Sequence, residues 1–327
     1  MDNKNKDSKL FLFALILYCS LLCVTCQHAR CPPPEDVFPC HCRNVSYYGH
    51  IGCRHLNSEE KITVILNRVN QYRIGEFSLK ESELKYVPKS VFNYGFRILE
   101  ISFNAFERLF EEIPAEPKVQ VLWMEQVRLQ GSWDWRQFSA LKDLLTLRLK
   151  RISLESLTHF KEVTKSLQHI VFEDCNLRNL NYDEFQHFPN LQMVDVQKNS
   201  LTVLKRSMFP KPSKLNFMVF NDNFISTIPE DLFVEMPYLR HINFSNNRLT
   251  VLSENIFLPV IRQKFLLDGN PLICDCRMAW ILGTKRGWVA GSCASPRDMQ
   301  GRELSELNDE DFTECLAYAY MHKENEY

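Results

Sequence analysis

Three kinds of pattern are missing from this 327-residue sequence. No sign of charge dominates: Lys and Arg number 39 and Asp and Glu 40, for a formal net charge of −1. A global basic field for nucleic acid is thereby excluded, and a charge-driven partner must meet a local patch. No Gly-rich phosphate loop, H-E-x-x-H or G-x-S-x-G occurs, so the common catalytic frames are absent. Beyond Val24 no apolar run is long enough to span a bilayer, and the C-terminal AYAYMHKENEY is polar, without a lipid-anchor signal.

What remains is an ordinary folded composition, 45% hydrophobic and 24% charged. The N-terminus is the exception. Lys4, Lys6 and Lys9 precede the apolar run Leu10 to Val24, and Val24 and Cys26 suit the −3 and −1 places of a signal-peptidase site. Residues 1–26 read as a signal peptide, leaving Gln27 first in a secreted, extracellular protein with no membrane span after cleavage. Of twelve cysteines, nine then remain. Four cluster at Cys31, Cys40, Cys42 and Cys53, four at Cys274, Cys276, Cys293 and Cys315, and Cys175 stands alone. Two even clusters in an exported chain read as disulfide frameworks, each open to three pairings.

Between the clusters the chain repeats. LRHINFSNNRL, from Leu239 to Leu249, is L-x-x-I-x-F-x-x-N-x-L, and the frame recurs at Leu215 to Ile225 and Leu191 to Leu201. Aligned on the ninth place, the units fall at Ser82, Asn104, Val127, Ile152, Cys175, Asn199, Asn223, Asn247 and Asn270, at intervals of 22 to 25 residues. This is the leucine-rich-repeat signature, a short strand feeding a turn closed by Asn. Each unit has one apolar face, so neighbours must stack. Strands are expected near Phe77, Leu99, Leu122, Leu147, Ile170, Val194, Met218, Ile242 and Phe265. Return segments carry aromatic anchors at Phe92, Phe138, Phe160, Phe185, Phe209, Phe233 and Phe257. Val127 and Ile152 cannot close the turn as Asn does, so backbone groups there need other partners. Ile62, Ile65, Leu66 and Val69 share one face of a helix expected from Ser58 to Gln71.

From about Ile74 to Leu272 the chain resembles leucine-rich-repeat proteins. CPPPEDVFPCHC and LDGNPLICDCRMAWIL resemble the N- and C-terminal caps of extracellular members. The resemblance implies the pairs Cys31–Cys42, Cys40–Cys53, Cys274–Cys293 and Cys276–Cys315. The expected fold is an α/β solenoid: a curved leucine-rich-repeat array of about nine repeats with a parallel concave sheet and disulfide-bonded caps. Its divisions are the signal peptide 1–26, an N-terminal cap and helix 27–73, repeats 74–269, a C-terminal cap 270–316 and a polar tail 317–327.

Candidate chemistry is sparse. His169 and His241 both take concave places, but about 14 Å apart at the strand spacing, and metal bonds are roughly 2 Å. No metal and no cofactor is expected. The concave face is more informative. Its outward places hold two apolar clusters, Ile98, Phe103, Val121 and Trp123, and then Val171, Met193, Phe217 and Val219. Contiguous exposed apolar surface marks a partner site. Charges beside them alternate in sign along the seventh and eighth places and read as a polar rim. Asn44 and Asn243 each begin a glycosylation sequon.

The cap CPPPEDVFPCHC, the NSEEKI after Leu56 and ELKYVPKSVF from Glu83 also resemble an arthropod set of secreted leucine-rich-repeat proteins. That set is named for the non-catalytic subunit of oplophorus-luciferin 2-monooxygenase. The resemblance implies a secreted scaffold that binds or stabilises an extracellular protein partner through its concave face, without an active site of its own. The alternative is an extracellular recognition protein of innate immunity or of adhesion and matrix.

Overall fold

The computed structural model describes residues 31–45, 47–113, 116–154, 157–260, 262–284 and 288–313. The expected signal peptide and tail, and Cys315, lie outside the described residues. Sixteen strands run in order: β1 His41–Val45, β2 Tyr48–Arg54, β3 Ile74–Lys80, β4 Ile98–Ser102, β5 Ala105–Phe106, β6 Val121–Glu125, β7 Arg128–Leu129, β8 Thr146–Lys150, β9 His169–Glu173, β10 Met193–Asp195, β11 Phe217–Val219, β12 His241–Asn243, β13 Lys264–Leu266, β14 Leu272–Ile273, β15 Val289–Ala290 and β16 Cys293–Ser295. Twelve of them make one sheet in the order β1-β2-β3-β4-β6-β8-β9-β10-β11-β12-β13-β15. Every pairing in it is parallel except β1 with β2. β3 begins at the first place of its repeat, Ile74; the strands of the later repeats, β4 through β13 in the large sheet, begin at the third place, one residue earlier than the frame suggested. The N-terminal cap is no separate layer, because β2 pairs directly with β3 as a further rung.

A second column runs beside the sheet. His55, Glu81, Phe103, Gln126, Arg151, Asp174, Lys198, Asp222 and Asn246 all have φ between 49 and 58°, and Gly269 has 73°. From Glu81 onward these are the eighth places, and His55 extends the column into the cap. The left-handed residue turns the chain out of the strand, and its N–H donates to the next repeat, as Phe103 does to the Glu125 carbonyl (2.9 Å) and Lys198 to Asn221 (3.0 Å). Asp, Asn and Gly tolerate this backbone best.

The ninth-place Asn closes the turn from inside. Asn223 Oδ1 accepts from Leu201 N (3.0 Å), while its Nδ2 donates to the carbonyls of Val196, Phe220 and Asn221. Asn199, Asn247 and Asn270 repeat the arrangement. Cys175 substitutes in part: its thiol donates at 3.4 Å to Leu149 and Glu173 carbonyls, the counterparts of two carbonyls that Asn223 bonds. Where Val127 stands, backbone replaces side chain. β5 and β7 pair, with Arg128 N donating to Asn104 O (3.0 Å) and Gln130 N to Phe106 O (2.9 Å). At Ile152, Leu154 N donates to Cys175 O (3.0 Å).

Behind the sheet the aromatic anchors interlock. Phe92, Phe110, Phe138, Trp135, Phe160, Phe185, Phe209, Phe220, Phe244, Phe265, Phe257 and Trp280 form an unbroken chain of ring contacts, with centroids 4.3 to 6.4 Å apart. Such pairs add roughly 0.5–1.5 kcal/mol each beyond their burial.

The ends are closed by caps. Besides the short turns α1 Pro34–Val37, α3 Lys89–Tyr94 and α4 Glu254–Phe257, one longer helix, α2 Glu59–Arg68, covers the first repeat. Ser58 caps it by accepting from Glu60 N, and Ile62, Ile65 and Leu66 are buried. Cys31 is bonded to Cys42, Cys40 to Cys53 and Cys274 to Cys293. Cys276 is also disulfide-bonded. Trp280 stacks on Phe257 and donates Nε1 to the Leu252 carbonyl (2.9 Å), sealing the last repeat.

Candidate functional site

Alternation along each strand puts the fourth and sixth places in the core and the third, fifth and seventh on the concave face. Leu122 and Met124 are buried accordingly, while Val121, Trp123 and Glu125 are half-buried. In the first cluster Ile98 lies opposite Val121, and Trp123 lies between Glu100 and Arg148. The Arg148 guanidinium sits over the Trp123 ring, 4.8 Å from its centroid. Trp123 Nε1 and Arg148 Nε have no hydrogen-bond partner among the described residues. Phe103 is 45% exposed. Within the left-handed column it is the one apolar residue; the others are polar, charged or glycine. A bulky side chain there adds backbone strain.

The second cluster differs from its sequence reading. Val171 and Met193 were expected to be exposed, yet each is only 8% exposed. Neighbours at the same level shield them: Met193 lies between His169 and Phe217, and Asp195 abuts Val171. Phe217 and Val219 remain half-exposed. The clusters are thus unequal, and the N-terminal one presents more apolar surface.

Charge on this face is organised by Glu173. It lies 3.0 Å from Lys198 Nζ, 3.5 Å from Arg148 and 3.6 Å from Lys150. Burial alone would raise its carboxyl, but Lys198, Lys150 and Arg148 together hold it below the usual value. Glu125 binds Arg151 and Lys150 in the same manner. The pairs run between the seventh and eighth columns as well as along them, so the polar rim is a network. Asp195 is different. It is 8% exposed, and burial pushes its carboxyl up to about 7. The sequence displayed Asp195 in the fifth column, but with no sign that its neighbours would bury it.

The two concave histidines each have a local neighbour. His169 Nδ1 meets Thr146 Oγ1 at 3.0 Å, and the His241 ring lies against Phe217 at 5.9 Å. Burial lowers the pKa of both, and Lys264 adds to it at His241. Among the described residues no group of three His, Cys, Asp or Glu is placed to hold a metal ion, and no helix is long and apolar enough to cross a membrane. Cys175 is a free, buried thiol. Asn44 is exposed and accepts from Cys31 N (3.2 Å); Ser46 of its sequon lies outside the described residues. Asn243 is half-buried, accepting from Ser245 N (3.0 Å).

These features define the class: a curved leucine-rich-repeat solenoid closed by disulfide-bonded caps. The family model described as "Leucine rich repeat" matches residues 189–249. Over 53 residues, 14% of this chain, it is 40% identical to the leucine-rich repeat and immunoglobulin-like domain-containing nogo receptor-interacting protein 1 of Xenopus tropicalis. Identity to the proteins of that name from Pongo abelii and Homo sapiens is 36% over the same length. The chain covers 8% of the length of these relatives, so they are similar to it in repeat structure. Neither the matched model nor these relatives indicate a catalytic family.

Proposed function

We propose that the protein is a secreted, extracellular scaffold that holds a protein partner on its concave face and has no chemistry of its own. One observation carries the reading: an apolar strip of Ile98, Val121 and Trp123 stands half-exposed on the concave face, with the exposed, left-handed Phe103 in the same repeat as Ile98. Aromatic anchors of this kind supply most of the energy of an interface, often ~2 kcal/mol or more each. Disulfides at both ends fit an oxidising compartment, in keeping with residues 1–26 as a cleaved signal peptide. The cap sequence favours a partner-stabilising, non-catalytic subunit. A second reading, recognition at a cell surface or matrix, draws on the relatives, whose name describes them as interacting with a receptor. We also place glycans at Asn44 and Asn243. A glycan at Asn243 would stand on the strand beside Val219 and narrow, without covering, the approach to Asp195 one strand further on, while the Trp123 cluster stays fully open.

The test is affinity capture from the source fluid with the intact protein and with Trp123→Ala and Phe217→Ala. One stoichiometric protein, lost with Trp123→Ala while the unfolding midpoint is unchanged, supports the scaffold. Retention by glycan or microbial surfaces supports recognition. Normal capture by both folded variants removes the concave face as the site.

A further inference from the structure

Two carboxylates are buried on the concave face, and they are treated differently. Glu173 is ringed by Lys198, Arg148 and Lys150. Asp195 has no Lys, Arg or His within 4 Å among the described residues. It lies between Val171 on β9 and Val219 on β11, with Met193 beside it on its own strand. Among the described residues its hydrogen-bond donors are on Gln197: the backbone N–H to Oδ1 (3.2 Å) and the side-chain Nε2 to Oδ2 (3.0 Å). Gln197 is half-buried, and its side-chain amide links the carboxylate to Asn221, whose Nδ2 donates to Gln197 Oε1 (3.5 Å). A buried carboxylate without a cation is costly, and an apolar residue in its place would cost nothing of the kind. The position therefore holds an unmatched negative group walled by aliphatic side chains.

We propose that Asp195, with Val171, Met193, Phe217 and Val219 around it, is a subsite for a lysine or arginine side chain of the protein partner. The basic side chain lays its methylene stem on the half-exposed Phe217 and Val219 and brings its cation to the carboxylate, displacing the Gln197 amide. Long cationic side chains are suited to such a surface, because stem and head bury separately. The charged groups facing Asp195 are Arg148 on β8 and Glu173 on β9, which oppose each other; β11 and β12 bring the uncharged Asn221 and Asn243. The acid's raised pKa agrees, since a cation arriving there would release a proton. This subsite rests on the concave face being the docking face.

The experiment uses the full disulfide-bonded protein with labelled Met and Val methyls, titrated at pH 7.5 with n-butylguanidinium, n-butylammonium and 1-butanol. Saturable shifts at Met193, Val171 and Val219 with either cation, and none with 1-butanol, are expected. Asp195→Asn should weaken the cation at least roughly tenfold, and Gln197→Ala should tighten it, since it uncovers the carboxylate. The stronger of the two cations tells arginine from lysine. Equal shifts with 1-butanol, or binding unchanged in Asp195→Asn, overturn the proposal. Should Asp195→Asn not fold, tightening in Gln197→Ala decides alone, and its absence overturns the proposal. A partner still lost with Trp123→Ala while these probe shifts are absent leaves the docking face standing and removes only this subsite.

Discussion

The ninth-place ladder makes a quantitative prediction at Asn223. Replacing it by alanine removes one acceptor and three donor contacts inside a site that is 3% exposed. The losses are unequal. The Phe220 carbonyl keeps Asn247 Nδ2 (2.9 Å), and the Asn221 carbonyl keeps the Lys198 N–H (3.0 Å). Leu201 N–H and the Val196 carbonyl bear the full loss. At ~1–3 kcal/mol for each buried group left unpaired, Asn223→Ala should cost roughly 2–5 kcal/mol. Asn223→Cys would copy the arrangement of Cys175, whose thiol donates to the corresponding carbonyls of Leu149 and Glu173. It restores the donor to Val196 but not the acceptor for Leu201, so its cost should be about half that of alanine. Urea unfolding with the disulfides intact gives both values, and amide exchange at Leu201 gives the local one. A cost below about 1 kcal/mol for alanine, or equal costs for alanine and cysteine, would refute the ladder as the source of stability.

Other consequences concern ionisable groups. The folded-state pKa of Asp195 is raised from 3.8 to about 7, so the stability it contributes is present below the unfolded value and lost as pH rises through 7. Asp195→Asn should therefore be more stable than the parent at pH 8 by roughly 1–3 kcal/mol, with the gain gone at pH 4; a pH-independent difference contradicts this. His50 is shifted the other way, to about 4, by burial first and then by Arg43, His41 and Lys80. Arg43 Nε donates to His50 Nδ1 (2.7 Å), leaving Nε2–H for Ser78 Oγ (2.8 Å). The neutral ring is favoured in the fold, so stability is present above about 6.5 and is lost as pH falls toward 4. An imidazole titration with a midpoint above 6 would be inconsistent with that bond. Burial pushes the Cys175 thiol up to about 12, so it should resist alkylation in the native protein. On unfolding, the chain beginning at Gln27 should then show one free thiol; five or more would overturn the capped arrangement.

The sequence by itself determined the array. The spacing of Leu, Phe and Asn fixes which residues enter the core, because each repeat must bury the same face against the next. Cysteine clusters marked the ends, and the aromatic return positions are all buried. The ninth-place exceptions were also legible as exceptions. How they are repaired was not: β5 pairs with β7 only because stacking brings two turns together. The concave face shows the same limit. A side chain there belongs to a column whose members are about 24 residues apart, and its exposure depends on the length and tilt of its neighbours. Val171 and Met193 therefore looked open and are covered, while Trp123 gained Arg148 as a cover from the adjacent strand. The unmatched carboxylate of Asp195 likewise exists only through tertiary structure. The frame gives each residue its column, but Lys198, Arg148 and Lys150 converge on Glu173 and leave Asp195 between two valines.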